Sequence, residues 1–133
     1  MAEAARQGPA ARNCRISGGQ LWVLNTGAVD ELEVCIFGAA MISSDSLYNF
    51  TVLGTNNNAV HEYLKNRSNY GGVPESFCNK VGGYVSAMTD ASSNLYSICR
   101  FSDGSAVEVN TLAAGYNTAR NSDLTNVIKN SNR

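Results

Sequence analysis

The chain has 133 residues, 44% of them hydrophobic and 16% charged, with a formal net charge of −1. That balance describes a globular chain rather than a disordered one. Its ten Lys and Arg stand singly along the sequence, which excludes the concentrated basic surface that a nucleic-acid partner requires. No stretch approaches the roughly 20 consecutive apolar residues of a membrane span, so no transmembrane segment is expected.

Residues 1–7 carry no periodic pattern and read as a flexible lead-in. They lack the apolar core of a signal peptide, and the residues before Cys14 do not form a lipoprotein processing site. A short helix is expected from Pro9, whose fixed φ suits a first turn, through Ala10 and Ala11. Gly18-Gly19 suits its stop, with a left-handed residue. In residues 20–26 Leu21 and Val23 share one strand face, and Trp22 and Leu24 the other. Residues 27–30 make a turn into a second strand, 31–37, with Glu33, Cys35 and Phe37 on one face and Leu32, Val34 and Ile36 on the other. Both faces are apolar. A helix tied to Cys35 would cover one, and the opposite face needs its own cover, from another helix or from the other half of the chain. Residues 40–51 read as a third strand, made irregular by Ser43-Ser44-Asp45-Ser46. Asn56-Asn57-Asn58 then supplies caps for an amphipathic helix over 59–66, with Val60, Tyr63 and Leu64 at helical spacing. Residues 67–71 are a hinge.

The same course begins again after the hinge. A helix is expected over 74–80, stopped by Gly82-Gly83, then a strand over 84–88 and a turn at 90–94. A strand over 95–101 carries Cys99 and Phe101 on its helix-facing side, and Ser102-Asp103-Gly104 is a hairpin turn. A third strand covers 106–112, and Ser122 caps a last helix bearing Leu124, Val127 and Ile128. Cys14 to Cys35 and Cys78 to Cys99 have one punctuation: a cysteine, three residues, Gly-Gly, fifteen residues, a cysteine, displaced by 64. The expected fold is therefore α+β. Two homologous helix-strand-strand-strand-helix repeats, 8–66 and 72–130, bring antiparallel sheets together about a pseudo-twofold axis, with one disulfide each. Pairing 14–35 with 78–99 explains the equal spacing most simply, while pairings that tie the copies together stay open. Structural disulfides place the chain in an oxidising compartment, periplasmic or extracellular.

The run Cys78, Gly82, Gly83, Tyr96, Ile98, Cys99, Phe101, Asp103 and Gly104 resembles the domain of unknown function found in small bacterial envelope proteins often labelled haemolysins. Pro9-Ala10 ahead of Cys14 resembles the opening of that domain. The first copy keeps Cys14, Gly18, Gly19, Cys35 and Phe37, but has Gly38-Ala39-Ala40 where the Asp-Gly turn should stand. Members of the family often carry further cysteines and an acidic, Trp-bearing segment after Asp-Gly; here 105–112 offers only Glu108. The resemblance implies export to the bacterial envelope and brings no established chemistry.

Chemical motifs are weak beside this architecture. His61 is the sole histidine, and His-Glu-Tyr-Leu-Lys is not a zinc HExxH motif. The cysteine spacing lacks the close C-x2-C knuckle of metal sites and the Cys-X-X-Cys of redox sites. The Gly-Gly pairs close helices instead of opening one, so they are not a phosphate loop. No catalytic residue, metal or cofactor is expected. Asn49-Phe50-Thr51 and Asn66-Arg67-Ser68 match the glycosylation pattern. Trp22 and Tyr70 have no aromatic counterpart in the other copy, where Ser86 and Arg6 stand, and are the candidate contact surface. The reading is a non-catalytic secreted or periplasmic binding or structural module, acting on an unknown protein or cell-envelope component. The alternative is a secreted inhibitor of a protease or cell-wall hydrolase, presenting loop 26–30 or 90–94.

Overall fold

A computed structural model describes residues 8–27 and 30–131. The expected lead-in at 1–7 and the middle of the turn at 27–30 lie outside the described residues. The elements run α1 Pro9–Ile16, β1 Gln20–Asn25, β2 Glu31–Phe37, β3 Ala40–Ser43, α2 Ser44–Thr51 and α3 Asn58–Lys65. They continue α4 Pro74–Lys80, β4 Tyr84–Thr89, β5 Leu95–Arg100, β6 Ala106–Glu108, α5 Val109–Ala114, a 3-10 turn Ala119–Asn121 and α6 Ser122–Lys129.

The six strands close into one antiparallel barrel in the order β1-β2-β3-β6-β5-β4. Three strands come from each half of the chain, and two seams join the halves: Asn25 pairs with Thr89, and Ile42 with Val107. The antiparallel sheets expected of the two halves are thus parts of one closed sheet. The alternation along the strands explains the closure. The Cys35/Phe37 face packs outward beneath the helices, with Leu21, Ile42, Cys99, Phe101 and Val107 meeting Ala11, Leu47, Val60, Tyr63, Leu112, Leu124 and Ile128. The opposite face encloses a second cluster of Leu24, Val34 and Met41 against Met88, Ile98 and Ala106. The other half of the chain is thus the cover that the Val34 face requires.

Two expected strands are shorter than the sequence reading gave, for the same reason. The strand placed over 40–51 ends at Ser43, because the Ser43 hydroxyl accepts the Ser46 N–H at 3.1 Å and caps α2. The strand placed over 106–112 ends at Glu108, whose carboxylate accepts the N–H groups of Asn110 and Thr111 at 2.8 and 3.0 Å and caps α5. Each half therefore carries two helices after its third strand, where the helix-strand-strand-strand-helix reading placed one. Asn57 is the N-cap of α3 and accepts the Val60 N–H at 3.0 Å.

Candidate contact sites

The cysteines pair Cys14–Cys35 and Cys78–Cys99, each joining residues 21 apart with Cα atoms 5.6 Å apart. Each bond ties the helix that opens its half to the middle strand of that half. The Gly-Gly pairs divide their work. Gly18 and Gly82 hold φ near +97° and +94°, the left-handed conformation that ends the helix. Gly19 and Gly83 instead lie against the disulfides, where a Cβ would overlap Cys35 Sγ and Cys99 Sγ respectively.

Asp103 sits in the turn between β5 and β6, with Gly104 at φ +87° beside it. Its Oδ1 accepts the Ser105 N–H and hydroxyl at 2.9 and 2.6 Å, and its Oδ2 accepts the Asn58 N–H at 2.9 Å. Ser105 Oγ accepts the Ala59 N–H at 2.9 Å. The turn thereby caps α3, an element 45 residues earlier. Burial alone would raise the Asp103 carboxyl, but the bonds from Ser105 and Asn58 hold it below its ordinary value. No sequence signal linked this turn to α3, since the contact exists only once the halves are joined.

Asp90 does similar work between β4 and β5. Its carboxylate accepts the N–H groups of Ser92 and Asn94 at 2.9 and 3.0 Å, the Asn94 side-chain amide at 3.1 Å and the Tyr96 hydroxyl at 3.0 Å. Burial pushes this group up, and the Asn94, Tyr96 and Ser92 bonds together bring it below the ordinary Asp value. Carboxylates held ionised by several donors are poor proton shuttles near neutral pH. Both serve turn geometry.

Trp22 and Tyr70, proposed together as a contact surface, lie against different clusters. Trp22 is half-buried on β1, paired across the strand with Val34, and packs on the barrel-interior cluster. Tyr70 lies among the helices: its N–H donates to Ala113 O at 2.8 Å, its ring centroid is 4.9 Å from that of Phe77, and Lys80 Nζ stands 5.7 Å from the ring centroid. His61 is exposed on α3. Asn66, of the second glycosylation pattern, donates its side-chain amide to Leu112 O and Ala113 O at 2.9 Å each. That amide holds α3 against α5.

Sequence reasoning missed the buried polar residues between the helices. Tyr63 is fully buried; its hydroxyl lies 2.6 Å from Thr125 Oγ1, which donates to Tyr116 O at 2.8 Å. Burial raises Tyr63 to about 12, despite the bond to Thr125 that pulls it down. Asn121 is buried and donates to Thr111 O and Gly115 O at 2.9 Å each. Among the described residues no group of three or more His, Cys, Asp and Glu is placed to hold a metal ion, and no helix is long and apolar enough to cross a membrane.

The surface has open grooves between helices. One of about 410 Å³ lies between α1 and α2, lined by Pro9, Arg12, Asn13, Ile16, Tyr48 and Val52. Another, of about 610 Å³, lies between α3 and α4, with Glu62, Lys65, Phe77 and Lys80 on its walls. No family model, curated protein or solved structure matches the chain.

Proposed function

We propose that the chain is a non-catalytic binding or structural module of the bacterial envelope, secreted or periplasmic, built from two homologous disulfide-stapled repeats about a pseudo-twofold axis. The observation that carries this reading is the commitment of the buried polar side chains to the scaffold. Glu108, Thr111, Ser46 and Asn121 all bond main-chain groups of other elements or helix ends, and no buried side-chain N or O among the described residues lacks a partner. Such a scaffold is rigid, and rigid scaffolds act through the surfaces they hold still. The two disulfides fit an oxidising compartment, and the haemolysin-labelled family resemblance points to the bacterial envelope.

Several features support the two-repeat reading. At each seam a residue pairs with its own counterpart: Asn25 with Thr89, 64 positions on, and Ile42 with Val107, 65 on. The Met41 N–H donates to Thr111 Oγ1 at 3.0 Å, and the Ala106 N–H to Ser46 Oγ at 3.1 Å, a reciprocal pair at a displacement of 65. Asn57 and Asn121 likewise donate to Ser46 O and Thr111 O at 2.9 Å each. The step from 64 to 65 arises in the hairpins, because β5 and β6 are joined by a longer turn than β2 and β3.

The inhibitor reading rests on one specific observation. The exposed residues 91–94 are held by Asp90 through three side-chain hydrogen bonds, one from Ser92 and two from Asn94, with a fourth from Tyr96 beyond the loop, and Ser93 stands at φ +66°, so the loop is preorganised as an insert for a cleft. The two readings part in one experiment. The tagged chain is passed over a bacterial envelope extract and, in parallel, assayed against a panel of proteases and cell-wall hydrolases. Saturable retention of one envelope component with a flat inhibition panel supports the module. Inhibition abolished by Asp90→Ala supports the inhibitor, and turnover of any substrate in the panel overturns both.

A further inference from the structure

The groove between α1 and α2 has a counterpart in the second half, and there it is filled. On the two-repeat reading above, Asn13 and Ile16 correspond to Phe77 and Lys80 at a displacement of 64, and Tyr48 to Ala113 at 65. Phe77, Lys80 and Ala113 are the three partners of Tyr70: the ring lies on Phe77 with Lys80 beside it, and the backbone N–H bonds Ala113 O. Asn13, Ile16 and Tyr48 all line the α1/α2 groove. The second half thus shows what such a groove accepts: an irregular stretch of chain between α3 and α4 that lays an aromatic ring between two helices and gives one N–H to a helix carbonyl.

Among the described residues of the first half, no side chain fills that place. The residues leading into α1, 1–8, carry no aromatic side chain. The groove measures about 410 Å³, and Ile16 and Val52 in its lining are 77% and 54% exposed. Exposed apolar side chains gathered at one place mark interaction sites more often than scattered ones do. Arg12 stands exposed among the lining residues, where its guanidinium favours an anionic neighbour and a ring face.

We propose that the α1/α2 groove is a docking site for an extended peptide segment of a protein partner, presenting an aromatic side chain with a carboxylate next to it. The ring takes the place over Asn13, Ile16 and Tyr48 that Tyr70 takes over Phe77, Lys80 and Ala113. The carboxylate pairs with Arg12.

Titration of the isotopically labelled full chain with two blocked peptides tests this by amide chemical shifts. One is Ser-Asn-Tyr-Gly-Gly-Val, the chain's own residues 68–73, and the other carries Asp in place of its Asn. Saturable shifts at Arg12, Asn13, Ile16, Tyr48 and Val52 are expected, lost when the peptide tyrosine becomes alanine. The Asp peptide should bind about two- to threefold tighter, as an exposed ion pair allows, and Arg12→Gln should erase that difference. Ile16→Ser and Val52→Asn, both at exposed positions, should each weaken binding at least threefold while leaving the thermal midpoint unchanged. Absence of saturation overturns the proposal, as do shifts centred on Phe77, Lys80 and Ala113, which would mean that the probe displaces Tyr70. It is equally overturned if an N-acetylglucosamine trimer moves the groove resonances and the peptides do not. Envelope capture is scored separately: capture by a chain that ignores the peptides sinks the groove alone, and peptide binding without capture sinks the envelope reading alone.

Discussion

Glu108 is a demanding test of how the barrel and helices hold each other, because one buried side chain serves three elements. Its carboxylate, in a residue only 6% exposed, accepts four hydrogen bonds: from the N–H and side-chain amide of Asn110, each at 2.8 Å, and from the N–H and hydroxyl of Thr111 at 3.0 and 2.9 Å. Because the Thr111 hydroxyl proton points to Glu108, its lone pair is left to accept the Met41 N–H of β3 at 3.0 Å. Glu108→Ala removes a helix cap, worth about 1 kcal/mol, and strands buried donors at about 1–3 kcal/mol, so a loss of about 2–4 kcal/mol is expected. Glu108→Gln puts an amide donor against at least one fixed backbone N–H and should cost about 1–3 kcal/mol. Thr111→Val leaves the Met41 N–H without its acceptor and should cost a similar amount. Combined with Glu108→Gln it should be non-additive by about 1 kcal/mol, since the first change already disorients the hydroxyl. Equilibrium urea unfolding at neutral pH, with unchanged denaturant dependence, measures all four corners. If Glu108→Ala costs less than about 0.5 kcal/mol, or the double mutant is additive, the carboxylate does not organise this junction.

Other consequences follow from the buried hydroxyl, the disulfides and the turn carboxylate. Tyr63, raised to about 12 from an ordinary 10.0, favours the neutral form in the folded chain. Stability from this group is therefore complete below pH 10 and is lost as pH rises toward 12, by roughly 3 kcal/mol at the limit; Tyr63→Phe, which should itself cost about 1–2 kcal/mol, should remove that alkaline component when unfolding is followed from pH 9 to 12. Gly19→Ala and Gly83→Ala push a Cβ onto a disulfide sulfur and should each cost about 1–3 kcal/mol; in a chain with that disulfide replaced by two serines the penalty should shrink, and an undiminished penalty would point to backbone strain instead. Either serine pair alone should cost about 3 kcal/mol by loop entropy, the two bonds costing alike because both span 21 residues. For Asp103, whose folded value lies below the ordinary 3.8, stabilisation is present above that value and fades as pH falls through the folded one. Asp103→Asn should therefore differ from the parent at pH 6 and converge with it in acid.

The residues that spoke clearly in sequence were those whose role is local. Cys14, Cys35, Cys78 and Cys99 announced bonds through equal spacing. The alternation in β2 assigned Cys35 and Phe37 to one face and Val34 to the other, and the structure puts those faces under the helices and inside the barrel. Asn57 signalled its cap because a cap acts within one turn. The ends of β3 and β6 are less legible at 40–51 and 106–112, because short mixed runs suit a strand or a short helix equally and the cap at Ser43 or Glu108 decides between them. Ser43-Ser44-Asp45-Ser46, an irregularity if 40–51 is a strand, is the start of α2.

What stayed hidden depends on the joining of the halves. A strand slipped by one residue would turn its core face outward, so the longer hairpin of the second half is workable only because its extra length is confined to the turn. There, between Phe101 and Ala106, it carries Asp103 and Ser105 to the N-terminus of α3. The shorter turn after β2 carries no such group; its Ala39 carbonyl instead accepts Arg120 Nη2 at 2.8 Å, and Asn121 at the start of α6 makes no side-chain cap bond there. The two halves thus keep the same barrel register while differing at its ends. Tyr70 follows the same rule on the helical side, where Phe77, Lys80 and Ala113 receive a ring and Asn13, Ile16 and Tyr48 line an open groove. Because β1 and β2 pair in the same register as β4 and β5, residues at these places can differ between the halves while the strand pairing stays as it is.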